Sequence, residues 1–340
     1  MAGRVRMAAA GLVALLVCGA AAIAAAEGAA ARVPSPALRN GFVLSPASIP
    51  AEEILSGGPA RDGIPALVDP KVVPAGEAPW RDDQIVMGVS RNGESRAYPI
   101  ALLNWHELVN DELGGEPILV SYCPLCGTGL VFDRNVGGEV RTFGVSGLLY
   151  QSDLLLYDRE SESLWSQVLS TAVTGSAQGT RLRLLRSSQL RWGDWKERHP
   201  ETTVLSLDTG HRRDYARSPY ADYAHSERIY FPVPLDRRYH PKMPTLGVRR
   251  VGGSARAYPA VEVVNAGGRV EDRLDGRRVV VIYDPESQVF DAEAPPELEV
   301  IEAYWFAWAA FHPETSVFSA AGDAESKPGI ADGIPKEEDR

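Results

Sequence analysis

Met87-Gly88-Val89, then Arg96-Ala97-Tyr98-Pro99, then Ile118-Leu119-Val120-Ser121-Tyr122-Cys123-Pro124 form a series that returns as Leu246-Gly247-Val248, Arg256-Ala257-Tyr258-Pro259 and Val279-Val280-Val281-Ile282-Tyr283-Asp284-Pro285. Val131-Phe132-Asp133 has its match in Val289-Phe290-Asp291. Trp195, His199-Pro200-Glu201-Thr202 and Val204 match Trp308, His312-Pro313-Glu314-Thr315 and Val317. Ordered self-similarity of this kind predicts one supersecondary unit used twice, over 85–206 and 243–319. The expected fold is α+β and β-rich, two divergent copies of one strand-helix-strand unit packed together.

Working outward, Gln84–Ser90 and Pro117–Tyr122 have the apolar content of short strands, and Pro99 stands where it can open a helix over Ile100–Asn110. Leu102, Trp105 and Val109 fall at helical spacing, with His106 at the border of that face. Further strands are expected at Val140–Val145, Leu154–Tyr157, Leu164–Gln167 and Arg181–Leu185, and a helix near Ser188–Arg198. The organisation reads as 1–26 signal peptide, 27–51 lead-in, 52–210 first repeat, 211–242 Tyr/Arg-rich connector, 243–320 second and degenerate repeat, 321–340 disordered tail. Composition agrees with many short strands, since the 340 residues include 32 Gly and 25 Pro and both residues favour turns.

Arg4 and Arg6 precede an uncharged apolar run from Met7 to Ala26 that ends in Ala24-Ala25-Ala26, the pattern of a cleaved secretory signal. An exported protein, periplasmic or extracellular, is expected, with no stable membrane span after cleavage. Cys18 follows Leu15-Leu16-Val17 and resembles a lipoprotein site, which the bulky Val17 fits poorly. The formal charge of −10 becomes −12 without the two signal arginines, so nucleic acid is not an expected partner. Cleavage leaves Cys123 and Cys126 as the cysteines of the mature chain.

The two copies part company where chemistry would lie. Cys123-Pro124-Leu125-Cys126-Gly127-Thr128 stands opposite Asp284-Pro285-Glu286-Ser287-Gln288. His106 has no histidine counterpart in 260–270, and 136–190 belongs to the first copy alone. Cysteines absent from one copy are dispensable for the shared plan, which points to function. Three readings compete. In the first, Cys123 and Cys126 form a thiol–disulfide couple with His106 assisting proton transfer, acting on a thiol, a disulfide or a small molecule and needing no cofactor. In the second, Cys123, Cys126 and His106 bind copper or zinc. In the third, the pair is a structural disulfide of a non-enzymatic binding module, although so short a loop gains little stability from closure.

Ser146, Asp153, Asp158 and Trp165, all in the stretch unique to the first copy, are the supporting candidates. A Ser146/His106/Asp153 hydrolase lacks a nucleophile elbow around Val145-Ser146-Gly147. Between His211 and His240, five tyrosines alternate with Arg212, Arg213, Arg217, Arg228, Arg237 and Arg238. This cluster is either a substrate rim that binds anions or a connector whose rings cover the core.

Ile54-Leu55-Ser56-Gly57-Gly58-Pro59 with Asp62-Gly63-Ile64-Pro65, Asn104-Trp105-His106-Glu107, Tyr122-Cys123-Pro124-Leu125-Cys126-Gly127-Thr128, Phe143-Gly144-Val145-Ser146-Gly147-Leu148-Leu149-Tyr150 and Leu164-Trp165-Ser166-Gln167 resemble domain-of-unknown-function family 3179, a group of exported bacterial and archaeal proteins. The resemblance covers nearly all of 52–320. It implies no established activity. Some relatives are labelled selenoproteins, which implies redox chemistry in the Cys-x-x-Cys segment, where this chain has cysteine at both places.

Overall fold

The computed structural model describes residues 38–322, so the signal, lipoprotein and tail expectations lie outside the described residues. Strand pairing begins from short alternating segments. β1 (Ile85–Arg91) and β2 (Glu94–Pro99) form a hairpin, and Pro99 ends β2 and caps α1 (Ile100–His106). β3 (Leu108–Leu113), β4 (Glu116–Cys123) and β5 (Thr128–Asp133) make a meander. β6 (Phe143–Tyr150), β7 (Asp153–Asp158) and β8 (Leu164–Ser166) make another. β9 (Ser188–Arg191) leads into α2 (Trp192–Arg198) and β10 (Thr203–Leu205).

The remaining part contains β11 (Pro244–Arg249), β12 (Ala255–Pro259), α3 (Ala260–Asn265), β13 (Arg269–Leu274), β14 (Arg277–Asp284), β15 (Val289–Glu293), β16 (Glu299–Tyr304), α4 (Trp305–Phe311) and β17 (Ser316–Val317).

Five sheets of three to five strands result, set out like the blades of a propeller, beside two two-stranded ribbons among the described residues. The β-rich α+β class holds. The blade-like arrangement was no part of the expected strand-helix-strand packing. One sheet runs β9-β1-β2-β10 with Val72–Pro74 at its edge, and another runs β16-β11-β12-β17. In both, the last strand is parallel to its neighbour. The meander β3-β4-β5 has the pairing order of β13-β14-β15. The sheet built on β6, β7 and β8, with Leu55–Ser56 and Thr171–Ala172 at its edges, has no such partner among the described residues.

Side chains follow the same parallels. A Cβ on Gly88 would lie 2.3 Å from the Trp195 ring, and one on Gly247 would lie 2.1 Å from the Trp308 ring. Trp195 Nε1 donates to Thr202 Oγ1 at 2.8 Å and Trp308 Nε1 to Thr315 Oγ1 at 3.0 Å. Each tryptophan ring packs at a tilt against the histidine that follows its helix, His199 or His312.

Three boundaries differ from the sequence expectation. The helix from Ile100 stops at His106 because Glu107 takes a left-handed φ of 57°, so Val109 and Asn110 belong to β3. Val140–Val145 is not one strand: Glu139–Val140 pairs with Asn135–Val136, and β6 starts at Phe143. Ser188–Arg191 is extended before α2 begins at Trp192. Residues 38–51, read as lead-in, place Phe42 and Leu44 in a core with Leu148, Leu155 and Tyr157. The described residues belong to one compact unit, and among them no helix is long and apolar enough to cross a membrane.

The pleat of β4 orients the site. Alternate residues of a strand face opposite ways. Ile118 and Val120 enter a core with Val86, Leu102 and Trp195, while Leu119 and Cys123 enter one with Trp165, Trp305 and Trp308. Cys123 therefore points toward the second half of the chain.

Candidate functional site

Cys123 ends β4 and pairs across the hairpin with Thr128, leaving Pro124–Gly127 as a four-residue loop. Cys126 N donates to Cys123 O at 3.2 Å, and Gly127 closes the loop at φ 63°. A side chain there would also meet the Tyr304 ring, 3.0 Å from an added Cβ, so glycine is required twice over. Tyr304 N donates to Cys126 O at 2.8 Å, which ties the end of β16 to the loop.

The loop lies against the turn between β6 and β7. Gln151 and Ser152 both have positive φ, 51° and 64°, as a tight two-residue hairpin requires. That geometry lets Ser152 O accept from Cys126 Sγ at 3.3 Å and brings in the next residue, Asp153. One ligand atom each of Cys123, Cys126 and Asp153 lies within 4.8 Å of the others, and all three residues are buried. The two sulfurs are 3.5 Å apart and are free thiols.

Burial dominates the electrostatics. It raises the Cys123 thiol, an effect partly offset by the hydrogen bond from Cys126, and it raises Cys126 further. It lifts Asp153 to about 7 and Glu107 to about 8, the latter also through the Asp153 charge. Among the described residues neither carboxyl group has an ion-pair partner. Burial thus favours the protonated form of every group in the cluster, and no neighbouring cation opposes it.

Its surroundings are aromatic and come in part from the segment between β10 and β11, which contains no helix or strand. The Cys123 charge acts on Tyr220, and both cysteines act on Tyr122, Tyr223 and Tyr304. Lys242 fastens this strap. Its buried ammonium donates to the carbonyls of Tyr223, Ser226 and Arg228 and sits 3.3 Å from the centroid of the Tyr223 ring.

The structure does not bring His106 into this cluster. His106 is buried at the end of α1, with Nδ1 2.8 Å from Pro65 O and Nε2 2.7 Å from Tyr215 OH. A carbonyl only accepts, so Nδ1 carries the proton and Nε2 accepts from Tyr215. Desolvation lowers the ring to about 4, so it is a neutral strut for the strap. Its neighbour Glu107 is the residue that feels the Asp153 charge and whose own charge reaches Cys123.

Ser146 sits at the bulge in β6, donating to Leu155 O and accepting from Leu148 N at 3.0 Å. Asp158 and Trp165 join each other. The Asp158 carboxylate accepts from Trp165 Nε1 at 2.8 Å, from Arg141 at 2.7 Å and from Ser161. Asp158 is a structural hub, while Trp165 packs in the core that also contains both cysteines.

The chain matches the model of the family described as Protein of unknown function (DUF3179) over residues 61–295. It belongs to that family. No curated protein and no solved structure matches it. The part of this DUF3179 chain that matches runs from before β1 through β15, so it contains the cysteine loop, the Asp153 turn and the strap.

Sequence reasoning found both cysteines and Asp153 but not Glu107 or Tyr223. Glu107 stands in the quoted Asn104-Trp105-His106-Glu107 block, where the adjacent histidine drew the assignment. The strap tyrosines were read as either rim or cover, and Tyr220 and Tyr223 act as cover.

Proposed function

We propose that this protein binds a soft or borderline transition-metal ion through Cys123, Cys126 and Asp153, with Glu107 as a further carboxylate coupled to the cluster. One observation carries the reading. Four buried polar atoms without hydrogen-bond partners surround this one loop: Ser152 Oγ, Asp153 Oδ1, Gln167 Oε1 and Tyr223 OH. Ser152 accepts from Cys126 through its carbonyl, Gln167 donates to Thr128 O at 3.3 Å, and Tyr223 feels both sulfurs. Buried groups of this kind ordinarily find partners, so their concentration at one point supports a ligand-binding site here.

The donor set suits such an ion. Two thiolates about 2.3 Å from one tetrahedral ion lie about 3.8 Å apart, close to the 3.5 Å separation of the sulfurs. Thiolates favour copper(I) and zinc, and a carboxylate oxygen adds a zinc donor. Binding would displace the protons that burial now holds on the cluster. Both cysteines are buried, 1% and 0% exposed, which denies approach to a protein disulfide but not to a small ion. In an anaerobic titration of the reduced protein against a chromogenic chelator, one equivalent of zinc should be taken up, and Cys126→Ser should abolish uptake at the same chelator concentration. Full uptake by that variant would end the reading.

A thiol–disulfide couple is the second reading, favoured by the two carboxyl groups that titrate near neutrality. Closing an S–S bond breaks two S–H bonds and passes two electrons to a small oxidant such as a peroxide, with Asp153 and Glu107 able to relay the protons. We further read the chain as two divergent copies of one unit. The paired strand orders and the Gly88/Trp195 and Gly247/Trp308 contacts support this.

A further inference from the structure

Away from the thiol cluster, a pocket of about 940 Å³ opens between Trp80 and the segment 207–216. Its lining includes Arg81, Arg212, Arg213 and His211 and one acid, Asp214, in a chain whose formal charge is −10. Arg81 is already paired with Asp83, and one carboxylate oxygen of Asp214 accepts from Ala216 N at 3.2 Å. Arg212 has no side-chain partner among the described residues, while Arg213 makes a 3.2 Å bond to Arg212 O, lies 5.8 Å from the Trp105 centroid and acts by its charge on His106 and Tyr215. Two forked donors therefore face solvent beside one cavity.

The walls are fixed in advance. Trp80 is 8% exposed, with its Nε1 on Leu205 O at 3.3 Å. Tyr215 donates to the neutral His106 and lies 2.6 Å from Thr209 Oγ1, which in turn accepts from His211 N at 3.2 Å. This chain holds the 209–215 backbone, and with it the arginines, against the body of the protein. Guanidinium forks match carboxylates in two-point geometry, while the cavity is within the range of drug-sized ligands and far larger than one inorganic ion needs.

We propose that this pocket is a second binding site, for a planar organic anion whose carboxylates meet Arg212 and Arg213 and whose ring lies between Trp80 and Tyr215. The site does not rest on the metal reading. Its test is calorimetric titration of the full chain with benzene-1,3-dicarboxylate, and with inorganic phosphate in a parallel arm. Saturable one-to-one binding of the dicarboxylate is expected, weakened about tenfold or more in the Arg212→Ala/Arg213→Ala double variant, since two charge-assisted contacts are lost. Both positions are exposed, so the fold should survive, which near-ultraviolet dichroism checks. Cys126→Ser should bind the dicarboxylate as the parent does. Equal affinity in the arginine variant, or binding of phosphate without binding of the dicarboxylate, overturns the assignment.

Discussion

Two hairpins with the same loop length carry different contents. β4 and β5 pair Cys123 with Thr128 around Pro124–Gly127, and β14 and β15 pair Asp284 with Val289 around Pro285–Gln288. In the second, Asp284 is exposed and accepts from Glu286 N, Ser287 N and Ser287 Oγ, an arrangement that stabilises a turn by itself. Gln288 takes a φ of 58° where Gly127 takes 63°. The glutamine is tolerated because it faces solvent, and the glycine is needed because Tyr304 covers it. A hairpin of this length thus stands without thiols. The first hairpin sets two buried sulfurs beside the Asp153 carboxyl group of a neighbouring turn, where the second has an ordinary exposed turn.

The comparison can be broken most severely at the sheet that only the first hairpin has beside it. Asp158→Ala should destabilise the protein by about 3–5 kcal/mol in urea unfolding, because it leaves the Arg141 guanidinium without its buried carboxylate. A loss under about 1 kcal/mol would mean that this sheet does not depend on its hub.

Next in size is the contrast between the loops. Cys126→Ser should weaken zinc binding on the order of 100-fold or more, whereas Asp284→Ala should leave it unchanged. A shared loss would show that the loops are not functionally distinct.

Gly88→Ala and Gly247→Ala should each cost about 1–3 kcal/mol of stability by driving a methyl group into Trp195 or Trp308. Similar costs sharpen the parallel between the two halves. Tolerance at one site alone would weaken it.

The last test concerns pH. Asp153 and Glu107 are raised in the fold, to about 7 and about 8. Their contribution is therefore complete below the ordinary carboxylate range near pH 4 and is lost as pH rises to about 8. Metal-free protein should lose stability across that interval, and Asp153→Asn should flatten part of the slope. A metal-free profile that rises over the same interval and is unchanged by Asp153→Asn would contradict the cause assigned to these shifts.

Much of this was legible because it rests on period and punctuation. Alternating apolar runs gave β4 and β7, Pro99 gave the start of α1, and Gly127-Thr128-Gly129 marked a turn into a strand rather than into a helix. What escaped depends on backbone choices that carry no signature. Glu107, Gln151 and Ser152 adopt left-handed φ without being glycine, so nothing announced that α1 stops at His106 or that a tight turn delivers Asp153. His106 at the border of a helix face looked like a proton carrier until the strap between β10 and β11 enclosed it. Contacts from so irregular a segment are set by tertiary packing, which no local pattern encodes.

The most direct test is X-ray absorption at the zinc edge on the reduced protein loaded with one equivalent of zinc. Two sulfur neighbours at about 2.3 Å, with light-atom neighbours at about 2.0 Å, are expected, and the Cys126→Ser sample should lose one sulfur. A shell of oxygen and nitrogen alone would contradict the assignment of the Cys123–Cys126–Asp153 cluster as a metal centre.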